Sequence, residues 1–166
     1  MKRTSPLRGL TVRLLTRKDD VDGLVAVERC SGRRGGFFEI LARNCAQHLA
    51  GNSEWKAFAA LHDGRLVGVG VLNLPCNANK VILGQVFVHP VHRHHGVNDA
   101  LIDVRLKYAT DLGMRRAETR IDGNNSRAVN VYERHGFSMV KRTGVRPGVD
   151  VYDGVKELTE PGKTKA

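Results

Sequence analysis

Cysteine is scarce in this chain, and its placement excludes two common uses. Cys30, Cys45 and Cys76 are odd in number and widely spaced, so they build neither a disulfide framework nor a Cys-x-x-Cys metal or redox pair. Free thiols of this kind point to a reducing, cytoplasmic setting. Proline is also scarce, 5 residues beside 18 glycines in 166, which excludes polyproline and collagen-like chains. Aromatic residues make up 5%, too few to suggest a stacking platform for single nucleic-acid strands. No apolar run approaches the roughly 18 residues of a membrane span. Arg8, Arg13 and Arg17 break up any apolar segment behind the basic start Met1-Lys2-Arg3, so no secretory signal is expected. Acidic residues are the last shortage: 17 Asp and Glu stand against 27 Lys and Arg, a formal charge of +10. An anionic partner is implied, nucleic acid or a phosphorylated cofactor, because both gain from a positive field and counterion release.

What is present reads as one soluble domain over residues 1–158, with a polar, disordered tail over 159–166. Leu10 to Leu15 alternates as a first strand, and Thr16 with Asp19 and Asp20 supplies caps for a helix running toward Cys30. Residues 31–36, with Arg33 and Arg34 between glycines, form a basic loop. Phe37 to Ala50 has helical spacing and stops at Gly51. From Trp55 the period becomes two, giving strands 55–61 and 66–74 around an Asp63-Gly64 turn, then a strand over 81–88. Gly84 inside that strand marks either a bulge or a plain weakening. Val97, Leu101, Val104, Tyr108 and Leu112 then share one face of a helix that ends at Gly113. A strand over 115–121, a helix over 126–135 and two closing strands, 137–142 and 149–158, complete an α/β (α+β) domain.

The chemistry is concentrated where the 81–88 strand meets the next helix, through Val86-Phe87-Val88-His89-Pro90-Val91-His92-Arg93-His94-His95-Gly96-Val97-Asn98. A helix start presents unpaired N–H groups and the positive end of the dipole. That combination suits a phosphate. Gly96 lets backbone approach an anion closely, and Arg93, His94 and His95 add cationic donors. The four histidines 89, 92, 94 and 95 lack a cysteine or carboxylate to complete a tetrahedral site, so no metal is expected.

Arg93-x-x-Gly96-x-Asn98, followed by Asn125-x-x-Ala128-x-x-x-Tyr132-x-x-x-Gly136-Phe137, resembles the GCN5-related N-acetyltransferase (GNAT) superfamily. The resemblance extends over residues 10–158 and is most specific over 86–137. It implies an acyl-CoA N-acyltransferase fold: a mixed, mostly antiparallel sheet of about seven strands flanked by about four helices. It further implies acetyl-CoA as co-substrate and direct transfer of acetyl to a primary amine in a ternary complex. Val86, Phe87 and Val88 would pair with the pantetheine arm, Arg93, His94, His95, Gly96, Val97 and Asn98 would hold the pyrophosphate, and Asn125 would contact the cofactor arm. Asn98 stands where the family prefers Gly or Ala, placed to cap the helix or to reach the pyrophosphate.

Tyr132 would then be the general acid beside the thioester sulfur, its alternative being a plain core tyrosine. Glu118 is the candidate base, acting through a water, with Asp122 behind it; Gln85 is excluded because an amide takes no proton at neutral pH. The acceptor would be a small-molecule or peptide amine, and the protein a monomer or homodimer without membrane association. Loops at 31–36, 75–80 and 143–149 would choose the acceptor and carry no readable code. The second reading is a basic protein that binds nucleic acid, or modifies a nucleic-acid-linked amine, on the same fold.

Overall fold

A computed structural model describes residues 7–29 and 36–159. Cys30, the Arg33-Arg34 loop and the tail from 160 onward, all given roles above, lie outside the described residues. The element order is β1 (Leu10–Leu14), α1 (Val21–Arg29), α2 (Gly36–Leu49), β2 (Trp55–His62), β3 (Arg65–Asn73), β4 (Lys80–Val88), a 3₁₀ turn at Pro90–His92, α3 (Val97–Asp111), β5 (Arg116–Asp122), α4 (Ser126–Arg134), β6 (Ser138–Arg146) and β7 (Val149–Glu157). The expected strands and helices are present, with one boundary corrected. β6 continues to Arg146 rather than stopping at 142, because Gly144 at φ +73° absorbs a register shift and leaves Pro147-Gly148 as the turn.

Seven strands form one sheet in the order β1-β2-β3-β4-β5-β7-β6. Every pairing is antiparallel except β4 with β5, which α3 joins as a crossover. Alternation along the strands separates two cores. Phe58 and Ala60 of β2 belong with Leu101, Ile102, Val129 and Tyr132 of α3 and α4, whereas Ala57, Ala59 and Leu61 belong with Val25, Phe38 and Leu41 of α1 and α2. The helices therefore cover opposite faces of the sheet. Among the described residues no helix is long and apolar enough to cross a membrane.

The face under α3 is cut low by two glycines. A Cβ on Gly68 would lie 3.1 Å from Val97 Cγ1 and 3.4 Å from Leu101 Cδ1, and one on Gly70 would lie 3.3 Å from the Arg105 guanidinium. The helix thus rests almost on the strand backbone, and its register against β3 is fixed by contact.

At the other end of the sheet a polar clasp joins β1 to α1. Arg13 donates through both terminal nitrogens to Asp19, each at 2.8 Å, while Thr16 donates its N–H (2.7 Å) and hydroxyl (2.9 Å) to Asp19 Oδ2. The hydrogen bonds from Arg13 hold the Asp19 carboxyl below its ordinary range, against the opposing effect of burial. Because the folded-state value is depressed, this contribution to stability is present above the ordinary carboxylate range and is lost as pH falls through the folded value. Asp19→Asn should cost about 1 kcal/mol at neutral pH. Urea unfolding of wild type and variant should show that difference shrinking as the medium is taken below roughly pH 4.

Candidate active site

β4 carries one residue more than β3 has room for. Leu83 pairs with Leu72 and Val86 with Gly70, so Gly84 and Gln85 together face Val71 alone. Gly84 is required at this bulge, since a Cβ there would sit 2.9 Å from Val71 Cγ2. The extra residue exchanges the faces of everything after it. Val81 and Leu83 point into the α3 core, yet beyond the bulge it is Val86 and Val88 that pack there, and Phe87 turns to the α2 side against Phe38.

The same bulge ends the partnership with β5. Parallel pairing runs only from Lys80 opposite Arg116 to Leu83 opposite Thr119, where the Thr119 hydroxyl donates to the Leu83 carbonyl at 3.2 Å. Beyond that point β5 stays with β7 as far as Asp122, while β4 stays with β3 as far as Val88. The two strands part and leave an opening. His89 N–H donates to the Val67 carbonyl at 2.8 Å, so residues 87 and 89 face β3 with their backbone groups. Alternation then turns the N–H and C=O of Val86 and Val88 toward the opening. The Val88 carbonyl there accepts Arg93 Nε at 3.0 Å.

The segment after β4 folds into a short cradle. His94 (φ +67°) and Gly96 (φ +78°) are both left-handed, and Gly96 is the N-cap of α3 with no side-chain hydrogen bond closing the helix start. The first-turn N–H groups from Val97 onward are thus left for an external acceptor. Asn98 does not cap, and its Oδ1 is buried without a partner. His94 Nε2 lies 3.1 Å from Arg127 Nη1 of α4, whereas His95 is exposed. Arg93 turns the other way: besides the Val88 carbonyl, its Nη2 meets Glu28 Oε1 of α1 at 2.5 Å. Its guanidinium braces the loop against α1. Burial, together with His62, His89 and His95, pushes His92 below its ordinary value, and no group of three or more potential metal ligands occurs among the described residues.

Helix α4 closes the opposite wall. Asn125 is its N-cap, accepting the Ala128 N–H at 3.2 Å through Oδ1, which leaves the amide Nδ2 to donate outward. Tyr132, two turns on, is 5% exposed and stands edge-on to Phe137 at 5.1 Å. His135 fastens α4 to α3, with Nε2 3.1 Å from Asp99 and Nδ1 3.0 Å from Asp103.

Glu118 is not beside these groups. It lies level with Ile82, in the paired half of β4 and β5, bound by Lys80 Nζ and Arg116 Nε at 2.9 Å each. Gln85, in the bulge, accepts from the buried Asn44 of α2 at 3.0 Å. Sequence reasoning missed Arg105, the largest fully buried side chain, which donates to Leu101 O and Val71 O at 3.0 Å each. The buried residues of α3 are Val97, Leu101, Ile102, Arg105, Leu106 and Ala109; of the expected line, Val97 and Leu101 are buried, Val104 and Tyr108 pack against the core while partly exposed, and Leu112 is half exposed. The signal was present: an arginine at i+4 from one apolar residue and i−4 from another sits on the core face.

The Acetyltransferase (GNAT) family matches residues 28–137. A mycothiol acetyltransferase of Propionibacterium freudenreichii subsp. shermanii is 30% identical over 131 residues, covering 75% of this chain and 42% of that protein. A second mycothiol acetyltransferase, from Stackebrandtia nassauensis, is 29% identical over 92 residues, covering 55% of this chain and 30% of that one. The chain therefore spans less than half the length of these relatives. Among solved structures, the PaiA N-acetyltransferase of Thermoplasma acidophilum in complex with coenzyme A shares the fold at a TM-score of 0.70 and 19% identity, over 89% of this chain and 98% of that one. With the family's match spanning the opening, the cradle and α4, the chain belongs to the GNAT acetyltransferase family.

Proposed function

We propose that the protein transfers acetyl from acetyl-CoA directly to a primary amine, the parting of β4 from β5 being the single observation that carries this reading. The residues present fit the co-substrate. The uncapped α3 start with left-handed His94 and Gly96 suits a diphosphate, and the outward backbone groups of Val86 suit the amide-bearing pantetheine arm as an added strand. His94, His95, Val97 and Asn98 border the diphosphate, Arg93 holds that loop against α1 and β4, and Asn125 Nδ2 reaches the arm. Acetyl-CoA supplies an activated thioester. The free thiols Cys45 and Cys76 suit a cytoplasmic setting.

The transfer balances as follows. The lone pair of the neutral amine attacks the carbonyl carbon, and the Val88 N–H donates to the carbonyl oxygen as negative charge gathers there. The C–S bond breaks, Tyr132 gives its phenolic proton to the departing thiolate, and solvent returns a proton to Tyr132. The amine's surplus proton leaves to water, because Glu118 is held by two cations away from the opening and Gln85 is an amide. With Glu118 engaged by Lys80 and Arg116, an amine that is already substantially neutral has the advantage. An α-amine, ordinarily titrating near 8, fits better than a lysine side chain near 10.4. We therefore favour small-molecule amines and peptide N-termini as acceptors.

Release of CoA thiol, followed across a panel of amino acids, peptides, aminoglycosides, polyamines, aminoacyl-tRNA and an amine related to mycothiol, tests the reading. Turnover with one of the weakly basic amines is expected, and acetyl-CoA that neither binds nor turns over would overturn it. Tyr132→Phe should fold normally and bind acetyl-CoA unchanged, yet lose roughly 10²- to 10⁴-fold in kcat. Gly96→Ala places a Cβ at positive φ and fills the cradle. Calorimetry should show acetyl-CoA affinity lowered at least about tenfold, with the fold retained.

A further inference from the structure

Asn44 is 3% exposed, on the face of α2 that otherwise buries Phe38, Leu41 and Cys45. An amide in such a layer costs stability unless it is bonded, and an apolar pair replacing both it and its partner would serve the core as well. Its Nδ2 donates to Gln85 Oε1 at 3.0 Å, which ties α2 to the β4 bulge. Gln85 itself is only partly buried. A sealed amide thus fixes the side chain of an accessible one.

The bulge decides where that accessible amide stands. Leu83 before it and Val86 after it pack toward α3, whereas Gly84 and Gln85 both face the α2 layer, the first toward Val71 and the second toward Asn44. Pairing of β4 with β5 ends at Leu83, so Gln85 is two residues past the point where the strands part, on the rim of the opening. The groups assigned above to acetyl-CoA lie in the other layer, with the α3 start at Val97 and with Tyr132 of α4. An amine attacking a thioester held from that layer approaches from the α2 face, where Gln85 stands. Oε1 is engaged by Asn44, and what Gln85 offers there is Nε2, which donates hydrogen bonds and accepts none.

We propose that Gln85 is a specificity residue for the acceptor, its Nε2 donating to an oxygen carried next to the reacting nitrogen, and that Asn44 is the positioning residue that holds the amide in this orientation. This rests on the acetyl-transfer reading above and narrows its acceptor. The class is an amine with a carbonyl, carboxylate or hydroxyl oxygen on the adjacent carbon: an amino acid, a peptide N-terminus or an amino alcohol. A donor at the rim gives nothing to an alkylamine or a polyamine. A group kept for a substrate oxygen discriminates against the analogue without it, because the group is then left unbonded.

The test follows thiol release with the best oxygen-bearing amine of the panel and with ethylamine, each compared with itself across variants so that amine basicity cancels. Gln85→Leu should lower kcat/KM for the oxygen-bearing amine roughly 10- to 100-fold, mainly through KM, and change that for ethylamine less than about threefold. Calorimetric affinity for acetyl-CoA should stay at the wild-type value. Asn44→Leu should act in the same direction by a smaller factor, and the double variant should be no worse than Gln85→Leu alone. If either single variant fails to fold, the double variant, which removes both amides together, takes its place with the same readouts. Equal losses for the two amines, or a fall in acetyl-CoA affinity, would overturn the proposal. Wild-type turnover confined to polyamines and alkylamines would overturn it while leaving acetyl transfer in place. Acetyl-CoA that neither binds nor turns over would remove that reading and this proposal with it.

Discussion

One surplus residue in β4 is the constraint on which the rest depends. Because Gly84 and Gln85 share a single partner, Val71, the strand beyond them is out of phase with the strand before. Two consequences follow from that phase change. Side chains exchange layers, which sends Phe87 to the α2 core and brings Val86 and Val88 over α3. Backbone groups also turn, and the N–H and C=O of Val86 and Val88, which a continuous parallel pairing would have used, face an opening instead. Glycine at 84 is a steric necessity here rather than a flexible hinge, given the 2.9 Å that would separate a Cβ from Val71.

The walls of that opening are held by contacts outside it. Gly68 and Gly70 let α3 approach β3 closely, which fixes the height of the helix start and of the cradle at His94 and Gly96. His135, bound to Asp99 and Asp103, fixes α4 to the first two turns of that helix. Since Asn125 opens α4 and Tyr132 lies two turns along it, the position of Tyr132 is tied to that of the α3 start through one imidazole. Lys156, donating to the His135 carbonyl, adds β7 to the same joint. Exposed pairs such as Arg120 with Asp153 contribute little to stability.

Most of this fold was legible because its elements obey local rules. Alternation from Trp55 onward, the Asp63-Gly64 turn, the glycine after each long helix and the Asn125 cap all act through neighbours in sequence. The Arg93 to Asn98 and Asn125 to Phe137 spacings were legible for the same reason, as each lies within one short segment. What could not be read depended on partners far away in the chain. The place of Glu118 on β5 was legible, but its ion pair with Lys80, 38 residues earlier, was not. The place of Arg93 ahead of the α3 start was legible, but its ion pair with Glu28 of α1 was not. The burial of Arg105 on α3 was missed, because a count of apolar residues along a helix face passes over a charged one.

Several departures from local rule lie close together. A glycine inside a strand, a histidine at positive φ, an uncapped helix start, an asparagine oxygen without a partner and a buried arginine without a carboxylate each weaken the fold by themselves. All of them line or support the gap between β4 and β5. Others lie elsewhere: Asp63 in the β2–β3 turn is left-handed at φ +48°, and His48 Nδ1 of α2 is buried without a hydrogen-bond partner, whereas the Asp19 carboxylate of the β1–α1 clasp is satisfied. Selection for stability alone would remove such features one at a time, since each has a simpler replacement. Where several of them gather around one opening, the surrounding layers supply the stability that those positions give up.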